Sequence, residues 1–495
     1  MSTAPAMKSR KTLGLMGITI HAMALIAPGA FIWLLFPLQL SAAGVGQGGG
    51  LVDIWPGVVL ALLTAGLTAA AFTGLARRYP QAGAYSAYHF AQHVFSELAP
   101  NGHTPVTRLL KFITGWAAHL FYWVYPGVMI AFLTTLLNYI LIQFGYQPKP
   151  FGLVLIAGSL AAFVGFLALR GITGSMTSSI LLNVLQLVIL VAFCSLAIIF
   201  RIVNPADLQP GEWISASPAA FLLPQNWSNV VLQAALSILL VVGFESIVSS
   251  GVAAENPQRD ISRSLIITLV VQGFLAYFLQ YFAFQFALST RVIGSIGVSV
   301  APLGDLAIMI GDKLLLGNGF ALMMVAAFTV MVAVLAASLT SMNTGVRITF
   351  AMAVDADMPG FLSLLHEKHA TPYSAVIALS VVSGVIGSLG AVGGEVMLAG
   401  ITLAANLGAF VLYGMICAMA FLIYRKYHLA YRWNDAVFAG LGLVMNLALA
   451  GVIVWVAFRP GGLVKEAGGI ALLFALGWLA ANLVLSFMKR APQRG

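Results

Sequence analysis

Charge is what this chain has least of. Only 8% of its 495 residues are Asp, Glu, Lys or Arg, against about 25% in soluble domains. With 60% hydrophobic residues, no soluble fold could hide that much apolar surface. Cysteine is nearly absent too: Cys194 and Cys417 both fall inside apolar runs and carry no disulfide or metal pattern. Intramembrane hydrolysis needs a motif such as H-E-x-x-H, a carboxylate pair or an activated nucleophile. None is written here, so an enzyme is not expected, nor a cofactor, nor a metal. His89 and His93 lie four apart, but no cysteine or second carboxylate completes a metal clip, and they read as solvated loop histidines. A sensing receptor would carry an added soluble domain, and the polar tails amount to a dozen residues or fewer.

What is present is a succession of apolar runs of membrane-spanning length. They fall at 13–41, 54–76, 109–143, 151–169, 176–200 and 229–252, then at 264–289, 317–345, 372–391, 394–424, 434–458 and 467–488. The first is too long for the core of a cleaved signal and reads as span 1. Twelve spans place both termini on one side. That side carries eighteen of the 24 Lys and Arg, which by the positive-inside bias makes it the cytoplasm. The net charge of +9 is therefore topology with a lipid bilayer as neighbour, and not a nucleic-acid footprint. Between the spans, 290–316 holds Ala301-Pro302 and then a short apolar stretch, expected as a lid-like helix on the outer face.

Glu245 is the one acidic side chain placed deep in a span, within Val242-Gly243-Phe244-Glu245. A carboxylate at the bilayer centre costs at least ~2.5–3.5 kcal/mol, so it needs a partner or a purpose. The glycine beside it loosens span 6. Span 1 has its own interruption, Ala27-Pro28-Gly29-Ala30-Phe31. Broken helices in corresponding places of two halves point to a secondary transporter with its site between the breaks.

The segment Leu75-Ala76-Arg77-Arg78-Tyr79-Pro80-Gln81-Ala82-Gly83-Ala84-Tyr85 resembles the one that follows helix 2 in the amino acid–polyamine–organocation superfamily. Four further places agree in order: Gly29-Ala30-Phe31; Arg170-Gly171-Ile172; Gly243-Phe244-Glu245 with Glu255-Asn256-Pro257-Gln258-Arg259-Asp260-Ile261; and Arg347 to Asp355 with Pro359, then Thr371-Pro372. The resemblance spans about residues 12–430. It implies an all-α polytopic membrane protein of twelve helices, a five-plus-five inverted repeat with helices 1 and 6 discontinuous. The expected layout is a cytoplasmic tail 1–12, a first repeat 13–200, an external loop 201–228 and a second repeat 229–424. Peripheral helices 11 and 12 follow at 425–488, then a cytoplasmic tail 489–495. It also implies alternating access for amino acids, polyamines and related amines, as a monomer or homodimer.

Unwound segments expose backbone groups that need partners. N–H groups of Gly29, Ala30 and Phe31 can hold a carboxylate, but Pro28 has none to give. That departure from the family's small-residue pattern leaves room for an amine without a carboxylate. Glu245 either pairs with a cationic amine, carries a proton when the site is empty and so couples transport to H⁺, or serves as a structural tether to span 1. Tyr122, Asn406 and Phe244 are expected to line the site. A lysine that some relatives place on helix 5 is here Gln186, which cannot titrate; His21 and His119 are the buried alternatives. Ser338, Thr340 and Ser341 could ligate Na⁺ or simply bond neighbouring helices. Arg170, Arg259, Arg347 and Asp355, in cytoplasmic loop motifs, are expected to form inner-gate ion pairs. The leading function is a proton-coupled amino acid or biogenic amine permease in a bacterial inner membrane. An antiporter exchanging substrate for its metabolic product and a Na⁺ symporter remain as alternatives.

Overall fold

The computed structural model describes residues 14–17, 19, 23, 30–42, 53–79, 87–99, 104–171, 176–215, 217–245, 247, 256–291, 301–355, 357–366, 371–427, 433–459 and 462–487. Among them the chain is helical, with two isolated bridges, Trp213 to Ser289 and Leu365 to Pro372, and no strand. The helices are α1 Ile32–Ala42, α2 Ile54–Arg78, α3 Ala87–Leu98, α4 Pro105–Gln143, α5 Pro150–Leu169, α6 Met176–Val203, α7 Pro218–Leu222 and α8 Trp227–Ser237. They continue with α9 Pro257–Leu269, α10 Leu279–Ala287, α11 Pro302–Leu314, α12 Gly319–Val354, α13 Tyr373–Val392, α14 Gly394–Lys426, α15 Trp433–Val456 and α16 Leu463–Phe487. A wide-gauge π segment, Val270–Phe278, joins α9 to α10.

Ten helices among the described residues are long and apolar enough to cross a membrane. Two apolar helices fall short: α1, with 11 residues, and α8 with its one-turn extension Ile238–Leu240. At 1.5 Å per residue α1 covers only ~16 Å of a ~30 Å hydrocarbon core. These are the two places where glycine and proline interrupt the sequence.

Helix starts follow from proline, which sits at the first turn of α4, α5, α9 and α11, where a missing N–H costs nothing. α4 and α14 are buried along most of their length, and α5 buries one narrow stripe, Ala157, Ala161, Val164, Gly165 and Ala168. The short helix expected after Ala301-Pro302 is present as α11, tied down by Tyr139 donating to Asp305 Oδ1 at 2.8 Å.

Two expectations need correction. Residues 87–98 are no solvated loop: Ala87, Tyr88, Phe90, Ala91, Val94 and Phe95 recur at helical spacing and bury one face of α3, leaving His89 partly covered. Nor are Arg259 and Arg347 loop residues. Arg259 lies in the first turn of α9, and α12 runs on to Val354, past the end of the apolar run, so that Arg347 is helical and Asp355 caps it.

Candidate substrate and coupling site

The site forms where α8 stops. After Leu240 the chain turns through 241–245, and Gly243 takes φ +114°, a region closed to most L-residues. The N–H groups of Val241 and Val242 both bond back to the Ile238 carbonyl, at 3.1 and 3.0 Å. Gly243 has no such helical acceptor, and its N–H is taken by Glu245 Oε2 at 2.9 Å. The carboxylate thus closes the break that exposes it.

Two phenols complete the cage. Tyr122 of α4 donates to Glu245 Oε1 at 2.5 Å, and Tyr413 of α14 donates to Oε2 at 2.7 Å. Glu245 is 7% exposed, and no ion pair reaches it among the described residues. A buried carboxylate held by neutral donors alone keeps its capacity for a proton or a cation. Asn406, seven residues before Tyr413 on α14, donates to the Ala235 and Leu236 carbonyls at 2.8 and 3.3 Å, capping the last turn of α8. Its Oδ1 has no partner among the described residues.

The two short helices are joined directly. Gln39 of α1 donates to Ser237 Oγ at 2.9 Å, Gln233 donates to the Gln39 carbonyl at 3.0 Å, and Tyr281 donates to Gln39 Oε1. At the start of α1 the Ala30 and Phe31 carbonyls accept from Trp33, Leu34 and Leu35. Their own N–H groups are therefore helix-start donors. Aromatic rings wall the region: Phe244 lies 5.5 Å from Tyr413 and 6.0 Å edge-on to Phe72, and Phe31 stands 6.4 Å edge-on to Tyr125. Phe72 and Tyr413 were not anticipated. Tyr413 had a legible signal, since two helical turns put it on the same face as Asn406.

The remaining expected residues divide. Ala27, Pro28, Gly29 and His21 lie outside the described residues. Gln186 is buried on α6. Thr340 and Ser341 donate to carbonyls of their own helix, at Ala336 and Ser338, both at 2.9 Å, while the buried Ser338 hydroxyl has no partner among the described residues. His119 accepts from Trp478 Nε1 at 3.0 Å and lies against Trp123, which ties α4 to α16. It takes no part in the Glu245 cage.

Charge gathers at the basic end. Lys111 pairs with Asp355 at 3.2 Å and Asp357 at 3.7 Å, and Arg78 with Glu97 at 2.5 Å. Tyr79 also donates to Glu97, and Lys426 donates to the Glu97 carbonyl at 2.9 Å. Burial pushes the Glu97 carboxyl up, but hydrogen bonds from Arg78, Tyr427 and Tyr79 outweigh it and hold the group down at about 2. Asp355 is thus paired with a lysine. Arg170 instead lies over the Phe166 ring at 4.3 Å, and no ion pair to Arg170, Arg259 or Arg347 is present among the described residues.

Among the described residues the molecule is an apolar helical bundle in which two short helices meet beside a caged carboxylate, with ten helices able to cross a membrane. The family model for amino acid permeases matches residues 12–480, and the chain belongs to that family, within the amino acid–polyamine–organocation superfamily. It is 24% identical over 474 residues to the branched-chain amino acid permease BcaP of Bacillus subtilis, covering 89% of this chain and 87% of that protein. Similarity at 22% over 463 residues extends to the methylthioribose transporter of the same bacterium, covering 92% and 88%. A plant relative, the cationic amino acid transporter 4, vacuolar, of Arabidopsis thaliana, is 25% identical over 338 residues, covering 66% and 51%. The chain is accordingly an amino acid transporter and not an enzyme.

Proposed function

We propose that this chain is a proton-coupled permease that carries its substrate between residues 27–31 and 242–245 by alternating access. The proposal includes twelve membrane helices, helices 1–5 and 6–10 forming an inverted repeat, in a bacterial inner membrane with both termini in the cytoplasm. The observation that carries it is the Glu245 cage. A carboxylate bonded by Tyr122, Tyr413 and the Gly243 amide, with no cation beside it among the described residues, can accept a proton without losing a counter-ion. Protonation removes its pull on the two phenols and frees α4 and α14 to move against the break. The Phe31, Phe244 and Tyr125 rings favour an apolar side chain on the substrate, the class that the name of one bacterial relative states.

A cationic substrate is the second reading. Glu245 itself favours it, as the single deep carboxylate, and one plant relative is named for cationic amino acids. The test is uptake in proteoliposomes with an imposed proton gradient, competed by leucine, arginine, agmatine and putrescine. Competition by leucine alone supports the first reading, and competition by arginine and the amines supports the second. Glu245→Gln is expected to abolish gradient-driven accumulation while leaving the melting temperature within a few degrees. Unchanged accumulation reduces Glu245 to a tether.

A further inference from the structure

α5 and α13 meet along a groove of about 780 Å³ that shares no residue with the Glu245 cage. Its floor is made by small residues. A Cβ built on Gly384 would stand 3.3 Å from the Ala161 Cβ, and one on Gly165 would strike the Ser380 side chain, so the helices touch there. Larger side chains stand outward on either rim: Phe166 on α5, Val381 and Val385 on α13, each about half exposed or more. The only polar side chains lining it, Ser380 and Ser388, donate to carbonyls of their own helix at Val376 and Gly384, each at 2.7 Å. The two serine protons are thus already spent and only their oxygens are left to accept, so an alkyl chain is what the walls suit best.

Length and charge narrow the occupant. The lining on α5 runs from Val154 to Leu169, ~22 Å along the helix axis, which suits an extended acyl chain lying in the hydrocarbon core. At the basic end of the trough Arg170 caps α5, exposed, its guanidinium 4.3 Å above the Phe166 ring that lines the groove. No carboxylate pairs with it among the described residues. An apolar slot ending in an unpaired cation complements an anionic amphiphile: the alkyl tail is sheltered and the headgroup meets the arginine.

We infer that the α5–α13 groove seats an acyl chain of an anionic phospholipid whose headgroup is held by Arg170. The test uses the full chain in detergent, titrated with phosphatidylglycerol or phosphatidylcholine of matched acyl chains, with bound lipid counted by native mass spectrometry. The expected preference for the anionic lipid is about five-fold, the weight of one basic group at a membrane surface. Arg170→Gln is expected to bring it to parity, and Arg170→Lys to restore most of it. Gly158→Phe is an independent probe: a Cβ there meets nothing within 4 Å, so the ring enters the groove without disturbing the backbone and lowers retention of both lipids. Melting temperatures confirm that each variant is folded. Equal retention of the two lipids, or Gly158→Phe protein that binds phosphatidylglycerol as the parent does, overturns the proposal. So does disulfide capture of a second copy through Val381→Cys, since the groove would then be a subunit contact. Lipid counting is blind to which solute crosses, so its failure is distinct from failure of the permease reading.

Discussion

Carboxylates at the middle and at the basic end of this bundle are held in opposite ways. Glu245 is surrounded by neutral donors, two phenols and an amide. Glu97 and Asp355 are met by cations, Arg78 and Lys111. A charge pair at the edge of the membrane is partly hydrated, cheap to break and sensitive to salt. In the interior a fixed counter-ion would cancel the charge permanently, whereas hydroxyl groups stabilise it and leave it able to take a proton. The contrast separates a partly hydrated ion pair from a carboxylate with no fixed counter-ion among the described residues.

The largest test of this contrast removes the central acceptor. Glu245→Ala strands two buried hydroxyls and an amide at ~1–3 kcal/mol each, so a loss of roughly 3 kcal/mol or more is expected in thermal or denaturant unfolding. A loss below 1 kcal/mol means water replaces the carboxylate and the cage is loose. Next comes Tyr413→Phe, which removes one donor of three. About 1 kcal/mol of stability and about a ten-fold fall in uptake follow, and a double-mutant cycle with Tyr122→Phe should show coupling of at least ~0.5 kcal/mol. At the edge, Lys111→Met should cost only ~0.5–1 kcal/mol, shrinking as salt is raised, whereas the Glu245 effects do not. Equal salt dependence at both sites would erase the distinction. An effect that is absent at neutral pH and grows only with acidity concerns His89, which burial brings from 6.5 down to about 4. The unfolded chain then takes up a proton below 6.5 that the folded one does not accept until about 4. Stability therefore falls as pH drops through that window, and His89→Gln should flatten the slope in melting curves taken between pH 4 and 6.5.

Much of this arrangement can be read from residue order. Apolar runs at 54–76, 151–169 and 372–391 reappear as α2, α5 and α13 within a few residues, because twenty apolar residues in a bilayer have one economical conformation. Gly243 announces the interruption of span 6, and the lone deep carboxylate beside it announces a site. Elsewhere the sequence is mute for identifiable reasons. α3 is short and half polar, so its stripe of buried residues is drowned among loop-like histidines. Arg347 marks an end to the apolar run but not to the helix, since backbone hydrogen bonds continue where hydropathy stops. The cage partners Tyr122 and Tyr413 come from positions 123 and 168 residues away from Glu245; helical spacing puts Tyr413 on the Asn406 face, but no local signal pairs either phenol with the carboxylate. His119 shows the converse: buried polarity drew notice, but its partner is the tryptophan of a peripheral helix.

The π segment has a consequence for phase. Gln272 donates to the Met23 carbonyl at 3.2 Å, and Tyr281 donates to Gln39, so one membrane helix grips the chain on both sides of residues 24–29. Nine residues of ordinary α-helix amount to about two and a half turns, which would aim those side chains in opposite directions. Bonding five residues apart as far as Phe278 turns the chain less per residue, which brings the two grips nearer to one face, the last three residues to Tyr281 belonging to α10. Val270–Phe278 thus acts as a gear change: tightening it by even one turn would swing Tyr281 away from its glutamine while Gln272 stayed engaged.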